Sequence, residues 1–374
     1  MITHHQPKQK GFSLIELMIA LTISLLIMAA ILKLFLDISL SNDELAKTNA
    51  QIENGRFAIQ LLQQDLMHAG FWDGYIAPFD NPVDSSGQPP PDTVPAPCLL
   101  YSSWNQDYRD QLLAIPLQAY SGVPTGCEGV VTSKQGGTDV LITRHAETCV
   151  AGTANCSADE LGRVYVQVSR CVSDVTRYVL GQTGTATFNL RQRDCNATPV
   201  ATKRRYLANL YYIQSGDVPT LMRSTFDLHS GAPSFGTPQP MIEGIEAFRI
   251  ELGIDNFNAD AGAAVNYATG VRGDGIPDEY IHCGTGCTAE QLVDAVAAQI
   301  HVLVRSTRPT AGYTDTKTYQ LGGQSLGPFN DQFKRHVFST SVRFHNVSGR
   351  REVPADFVPG PLGTNDPATT PDPS

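Results

Sequence analysis

The hydrophobic pattern along the chain is uneven. Residues 12–32 read FSLIELMIALTISLLIMAAIL, an apolar run whose single charge is Glu16. As a helix rising 1.5 Å per residue it would be about 31 Å long, enough to cross the hydrocarbon core of a bilayer. No proline occurs between Phe12 and Tyr75, and before Gly70 only Gly55 interrupts good helix formers. The spacing predicts one helix over residues 13–69, roughly 85 Å long, closed by Gly70. Beyond the apolar run, Ile38, Leu45, Ile52, Ile59 and Leu66 recur every seven residues. Up to Gly55 this stripe is narrow, as in a helix surrounded by other helices. With Phe57, Leu61, Leu62 and Met67 it widens, as in a helix lying on a sheet.

After Gly70 the pattern changes. Residues 71–130 are rich in proline and glycine, Gln88-Pro89-Pro90-Pro91 among them, and predict a long loop. Strand-like stretches follow at 140–144, 164–169, 206–213, 247–254, 300–306 and 337–344. Val164-Tyr165-Val166-Gln167-Val168 alternates as a half-buried antiparallel strand would. Residues 288–298 predict a short amphipathic helix with Thr288 as its cap and Glu290 and Gln291 in its first turn. The proline-rich end, residues 351–374, predicts disorder. No internal repeat is present. The fold class expected is α+β, a long N-terminal helix packed on an antiparallel β-rich head.

Composition sharpens this. Lys and Arg number 27 against 37 Asp and Glu, a formal charge of −10, which argues against a nucleic-acid partner. Charged residues make up 17%, below the roughly 25% usual for soluble domains. With Gly 32 and Pro 24, this predicts a loop-rich β body. The residues before the apolar run carry Lys8 and Lys10 and no acid, so a single pass with a cytoplasmic N-terminus is expected. No small-x-small cleavage site follows the run, so the segment is expected to be retained.

Glu16 is the informative residue. A carboxylate within a membrane helix costs roughly 2.5–3.5 kcal/mol and calls for a partner. Lys10-Gly11-Phe12-Ser13-Leu14-Ile15-Glu16 resembles the type IV prepilin motif: a basic leader, Gly, Phe, and Glu at the fifth position of an apolar run. The resemblance implies cleavage between Gly11 and Phe12 by a prepilin peptidase and N-methylation of Phe12. It also implies pairing of Glu16 with the α-amine of a neighbouring subunit during assembly. Further on, Asn54-Gly55-Arg56-Phe57-Ala58, Asp65-Leu66 and Ala69-Gly70-Phe71 resemble the helix exit of PilW-type minor pilins. Gly253-Ile254-Asp255, Asp274-Gly275, Val302-Leu303-Val304-Arg305-Ser306 and Arg335-His336-Val337-Phe338-Ser339-Thr340 resemble that family's C-terminal half. Two departures stand out: no proline lies near Lys33, where many major pilins have one, and residues 256–273 read as an insertion.

The resemblance implies a pilin-like organisation: a leader (1–11), a transmembrane and assembly helix (12–36), its amphipathic continuation (37–70), a periplasmic or extracellular head (71–350) and the tail (351–374). It implies a minor pilin that primes type IV pilus assembly at or near the filament tip, with no enzymatic activity. Its partners would be other minor pilins, the major pilin, the prepilin peptidase, the inner-membrane assembly platform and a tip adhesin. It would sit in the bacterial inner membrane, then in the pilus. The alternatives are a GspJ-like minor pseudopilin of a type II secretion system and, from another class, a membrane-anchored adhesin or hydrolase.

Other candidate chemistry is sparser. Cys98, Cys127, Cys149, Cys156, Cys171, Cys195, Cys283 and Cys287 all follow the membrane segment, and their even number predicts disulfides. Neighbour pairing would join 98–127, 149–156, 171–195 and 283–287, one of many connectivities that eight cysteines allow. A zinc site on Cys283, Cys287 and His282 or His301 is the competitor, but its CxxxC spacing is unusual and no second pair at metal spacing accompanies it. Asp274-Gly275-Ile276-Pro277-Asp278 resembles an acidic calcium loop, which Asp255, Asn256, Asn258 and Asp260 would complete. Arg272 and Gly270 occupy positions where ligands belong, so a solvated turn without cofactor is the expectation. Gly323-Gln324-Ser325-Leu326-Gly327 matches the nucleophile-elbow spacing, yet Pro328 follows at once and too little chain remains for a hydrolase triad. Asn346-Val347-Ser348 is a glycosylation pattern.

Overall fold

The computed structural model describes residues 11–81, 88–258 and 262–352. The expected leader before Gly11, the expected disordered tail from residue 353 and Asp260 lie outside the described residues. The chain divides into two compact units, residues 1–50 and 51–374. Helix α1 (Leu14–His68) contributes to both. In the first unit its apolar side chains have no cover: Leu17, Leu21, Leu25, Ile31 and Phe35 are each more than half exposed.

The second unit runs from the end of α1 through α2 (Gln106–Ala114), β1 (Leu117–Tyr120), β2 (Val140–Ala146), β3 (Val164–Val168), β4 (Tyr178–Gln182), β5 (Lys203–Gln214), β6 (Thr220–His229), β7 (Ala232–Phe235), β8 (Gln239–Glu243) and β9 (Ile245–Ile254). There follow β10 (Glu279–Ile281), α3 (Ala289–Val293), β11 (Ala295–Arg305), β12 (Tyr319–Leu321), β13 (Gln324–Leu326), β14 (Arg335–Arg343) and α4 (His345–Ser348). The strands form two main antiparallel sheets. One has eight strands in the order β1-β2-β5-β3-β4, with β6 on β5 and both β7 and β8 on β6; the other is β10-β9-β11-β14. A β12-β13 hairpin stands apart. The fold is α+β.

Residues 51–68 of α1 sit in one core with both sheets. Ala58, Leu62 and Leu66 share it with Leu141 and Tyr211 of the larger sheet and with Ile250, Val302 and Val342 of the smaller. The buried seam is Gln51, Gly55, Ala58, Leu62 and Leu66. It follows the four-and-three spacing of a straight helix and shares only Leu66 with the seven-residue stripe, of which Ile52 stays exposed and Ile59 is partly covered. Gln51 Nε2 donates to the carbonyls of Val304 (2.7 Å) and Lys334 (3.1 Å), and Asn54 Nδ2 to that of Glu243 (3.0 Å). Asp65 faces the larger sheet, accepting from His145 Nε2 (3.2 Å), Asn209 Nδ2 (2.9 Å) and the Thr143 hydroxyl. Gly70, at φ +74, ends the helix in the left-handed region and donates its N–H to the Arg144 carbonyl.

At Gly55, α1 lies tight against β14: a β-carbon there would overlap the Phe338 ring. Gly55→Ala gains about 1 kcal/mol of helix propensity but crowds the seam at a cost of about 1–3 kcal/mol. A net loss of about 1 kcal/mol is expected in urea denaturation; an unchanged midpoint would mean that the ring swings aside freely.

Three expectations need correction. The helix expected over 288–298 is only α3, one turn and a cap, with Thr288 and Gln291 forming a reciprocal capping box. From Ala295 the chain is strand, because Val296, Ala298, Ile300, Val302 and Val304 reach the core at every second position. Tertiary burial there overrides the helical preference of alanine. Strand β3 is buried on both faces rather than one, and Gln167 satisfies its amide with the Ala201 carbonyl and the Leu190 N–H. The loop expected over 71–130 contains α2, capped by Asn105 on Tyr108, and strand β1.

Candidate functional site

The start of α1 is built by local chemistry. Ser13 precedes the first helical residue, and its N–H donates to Glu16 Oε2 at 2.9 Å, half of the reciprocal capping arrangement written by Ser-x-x-Glu. Glu16 therefore has a resting partner within its own chain, where the positive end of the helix dipole favours a carboxylate. Gly11 and Phe12 precede the helix without regular structure, and Phe12 is 89% exposed. Along the apolar helix, Thr22 and Ser24 turn their hydroxyls back onto the carbonyls of Ile19 and Leu21, both at 2.9 Å, so neither presents a free donor to an apolar environment. The helix is long and apolar enough to cross a membrane, and none of its most hydrophobic window is buried within the chain.

The candidate calcium residues are engaged differently. Asp255 is fully buried and accepts from the backbone N–H of Asp274 (3.1 Å) and Gly275 (2.8 Å). Asp274 caps Ile276 N–H, and Asp278 accepts from the N–H of Asn256 (2.7 Å) and Phe257 (2.9 Å). The cation beside Asp255 is Arg351, buried, with Nη1 at 3.2 Å from Asp255 and 3.3 Å from Asp294, and Nε at 3.2 Å from Asp80. Arg350 also pairs with Asp80, and Tyr267 donates its hydroxyl to Asp294. Burial pushes the Asp294 carboxyl up to about 6 against the pull of Arg351, and raises Asp255 as well. Among the described residues, no three His, Cys, Asp or Glu side chains converge as metal ligands. Sequence inspection misses this cluster because Asp80 and Arg351 are remote in the chain.

The eight cysteines are joined as 98–127, 149–156, 171–195 and 283–287. Cys283 and Cys287 are bonded to each other, and His282 Nε2 lies 3.0 Å from Asp139, so the zinc alternative has no thiolate to use. Ser325 lies on the β13 arm of a hairpin rather than at a strand-to-helix elbow. The Asn346 amide donates to the carbonyls of Met67, His68 and Ala69, capping the end of α1, so that side chain has a structural task.

The family model described as Type IV Pilus-assembly protein W matches residues 210–346, and the prokaryotic N-terminal methylation motif matches residues 6–32. The first span runs from within β5 to α4 and includes the whole of the smaller sheet. Among curated proteins none matches. Among solved structures, the type IV-like pilin TTHA1219 from Thermus thermophilus is 13% identical, over 62% of this chain and 82% of that one, with a TM-score of 0.29. The two family matches fall on the segments whose residues resemble a PilW-type prepilin.

Proposed function

We propose that this type IV pilin-like chain, with its PilW-type segment and prepilin motif, is a minor pilin that primes pilus assembly at or near the filament tip. The observation that carries the reading is the exposed Gly11-Phe12 pair at the head of an apolar run, residues 12–32, whose one acid is Glu16. Cleavage there frees the Phe12 amine beside its own Glu16. In a bundle, each Glu16 exchanges the Ser13 N–H for a neighbour's amine, and the two buried opposite charges satisfy each other only when helices are in register. The uncovered apolar side chains of α1 find lipid before assembly and other helices after it. The N-terminus stays cytoplasmic and the disulfide-closed head lies in the periplasm, an oxidising compartment. The partners are other minor pilins, the major pilin, the prepilin peptidase and the assembly platform, and the role is structural. The PilW match favours the pilus over type II secretion.

Intact-mass analysis of the chain from its own host tests the first step: a methylated Phe12 terminus is expected, and an uncleaved Met1 terminus would overturn the reading. Glu16→Ala is expected to leave the head folded and cut incorporation into pili about tenfold, as a lost buried charge pair implies. Unaltered piliation, counted by microscopy, would remove Glu16 from the mechanism. A deletion strain that loses exoprotein secretion and keeps its pili would point to the secretion alternative.

A further inference from the structure

The sheet β10-β9-β11-β14 ends on β14, and among the described residues nothing pairs with its outer edge. Two hydrogen bonds flanking the strand set the phase of its ladder. Phe344 N–H donates to the Val296 carbonyl at 2.8 Å, and Ser306 N–H to the Lys334 carbonyl at 2.9 Å. Residues of an antiparallel strand alternate between those bonded to the neighbour and those facing away from it. Even-numbered residues of β14 therefore bond to β11, and the backbone groups of Val337, Ser339 and Ser341 point outward. The strand is nine residues long, pairs with β11 without a register shift and contains no proline or lysine. Such edges are ordinarily guarded. Here β10 is cut to three residues, β7 carries Pro233 and β8 carries Pro240, while β14 has no such guard.

Beside this edge lies a groove of about 410 Å³, lined by Arg56, Ile59, Gln60 and Gln63 of α1 and by Phe338, Ser339 and Thr340 of β14. In a chain of net charge −10, this lining holds one cation and no carboxylate. We propose that β14 is a docking edge for an extended segment of a different pilus subunit, which adds as a fifth strand and sets an acidic side chain beside Arg56. Main-chain bonds to Val337, Ser339 and Ser341 supply affinity, and the α1 side of the groove supplies selection. A second copy is the poorer occupant: β14 carries Arg335 and Arg343 and no acid, so self-pairing offers Arg56 nothing of opposite charge. The inference rests on the proposed function and names the surface through which one neighbour is held.

The test uses the full chain in pilus-forming cells, with a photo-cross-linking amino acid at Gln60 and a control at Tyr280 beside the short edge. The expected adduct, mapped by mass spectrometry, joins Gln60 to an acidic extended segment of another prepilin-motif subunit. Arg56→Glu should lower its yield about tenfold. Ser341→Pro, which removes an outward N–H and no bond to β11, should lower it about fivefold without shifting the thermal midpoint. An adduct to this chain's own residues 353–374, to a second copy or to an unrelated protein would overturn the proposal. So would incorporation of the chain into pili with no adduct, which would leave the minor-pilin reading standing. A chain that is neither processed nor incorporated would end both.

Discussion

Arg351→Ala is expected to lower the unfolding free energy of the head by about 3–5 kcal/mol, the usual consequence of removing one partner from a buried ion cluster. Among the described residues this guanidinium is the one cation fully buried between Asp80, Asp255 and Asp294, and it also bonds the Tyr267 hydroxyl and the Val293 carbonyl. Without it the carboxylates must take up protons or water, so the variant should regain stability as pH falls. Arg351→Met should fare little better, because it restores volume and not charge. The wild type carries a milder form of the same dependence. Asp294 titrates at about 6 in the folded chain against 3.8 as its ordinary value. A raised carboxyl contributes stability that is complete below the unfolded value and lost as pH rises through the folded one. From this group the head should be more stable near pH 5 than near pH 7, and Asp294→Asn should flatten that slope. Urea denaturation at the two pH values reads both effects. A loss below about 1 kcal/mol for Arg351→Ala would mean that the cluster is solvated rather than closed.

The second large effect is expected at Asp65. Asp65→Ala should cost about 3 kcal/mol, since three buried donors, on Thr143, His145 and Asn209, lose a charged acceptor at once. Burial works to raise this carboxyl, yet the bonds from His145, Thr143 and Asn209 hold it below its ordinary 3.8. Burial likewise opposes the charge on His145, and the bond and field of Asp65 raise that imidazole above 6.5. The signs are opposite. Asp65 contributes stability above pH 3.8 that is lost as pH falls through its lower folded value. His145 contributes below pH 6.5 and loses it as pH rises through its higher folded value. The pair is strongest between those limits, so Asp65→Asn should hurt most near pH 5 and least in alkali. Fluorescence of Trp72, which is buried close to the end of α1, offers a local probe. Equal losses at pH 5 and pH 9 would count against the charged pair.

Local physics made part of this legible. A continuous apolar and amphipathic pattern with one glycine stop yields α1 within a residue at each end, and the β-branched runs at 140–144, 206–213, 247–254 and 300–306 are strands. The Ser13-x-x-Glu16 spacing was also open to inspection as a helix cap. Strand β6 was not: Arg223, Ser224 and Asp227 interrupt its apolar pattern, and their partners come from elsewhere in the chain, as with Arg163 and Arg205 on Asp227. The Arg351 cluster was hidden for the same reason, because nothing near Arg351 in the chain announces Asp80, Asp255 or Asp294. Charge pairs at long range are products of the fold. The acids weighed as a calcium loop serve backbone amides and an arginine, and Asp255, expected in a solvated turn, is buried.

The four disulfides all close within residues 98–287, and none reaches α1. If a filament pulls on this helix, the load passes into the head through the backbone at Gly70 and, along residues 51–68, through non-covalent contacts alone: the amides of Gln51 and Asn54, the Asp65 clamp, the Asn346 cap and the apolar seam. Such contacts share force when the helix is drawn along its axis and fail one after another when it is lifted from an end. The head is thus covalently reinforced against unravelling, while the docking of residues 51–68 onto it is a mechanical fuse that yields and leaves the head tethered at Gly70. Reducing agents should leave the force needed to strip residues 51–68 nearly unchanged, and that of unravelling the rest much reduced.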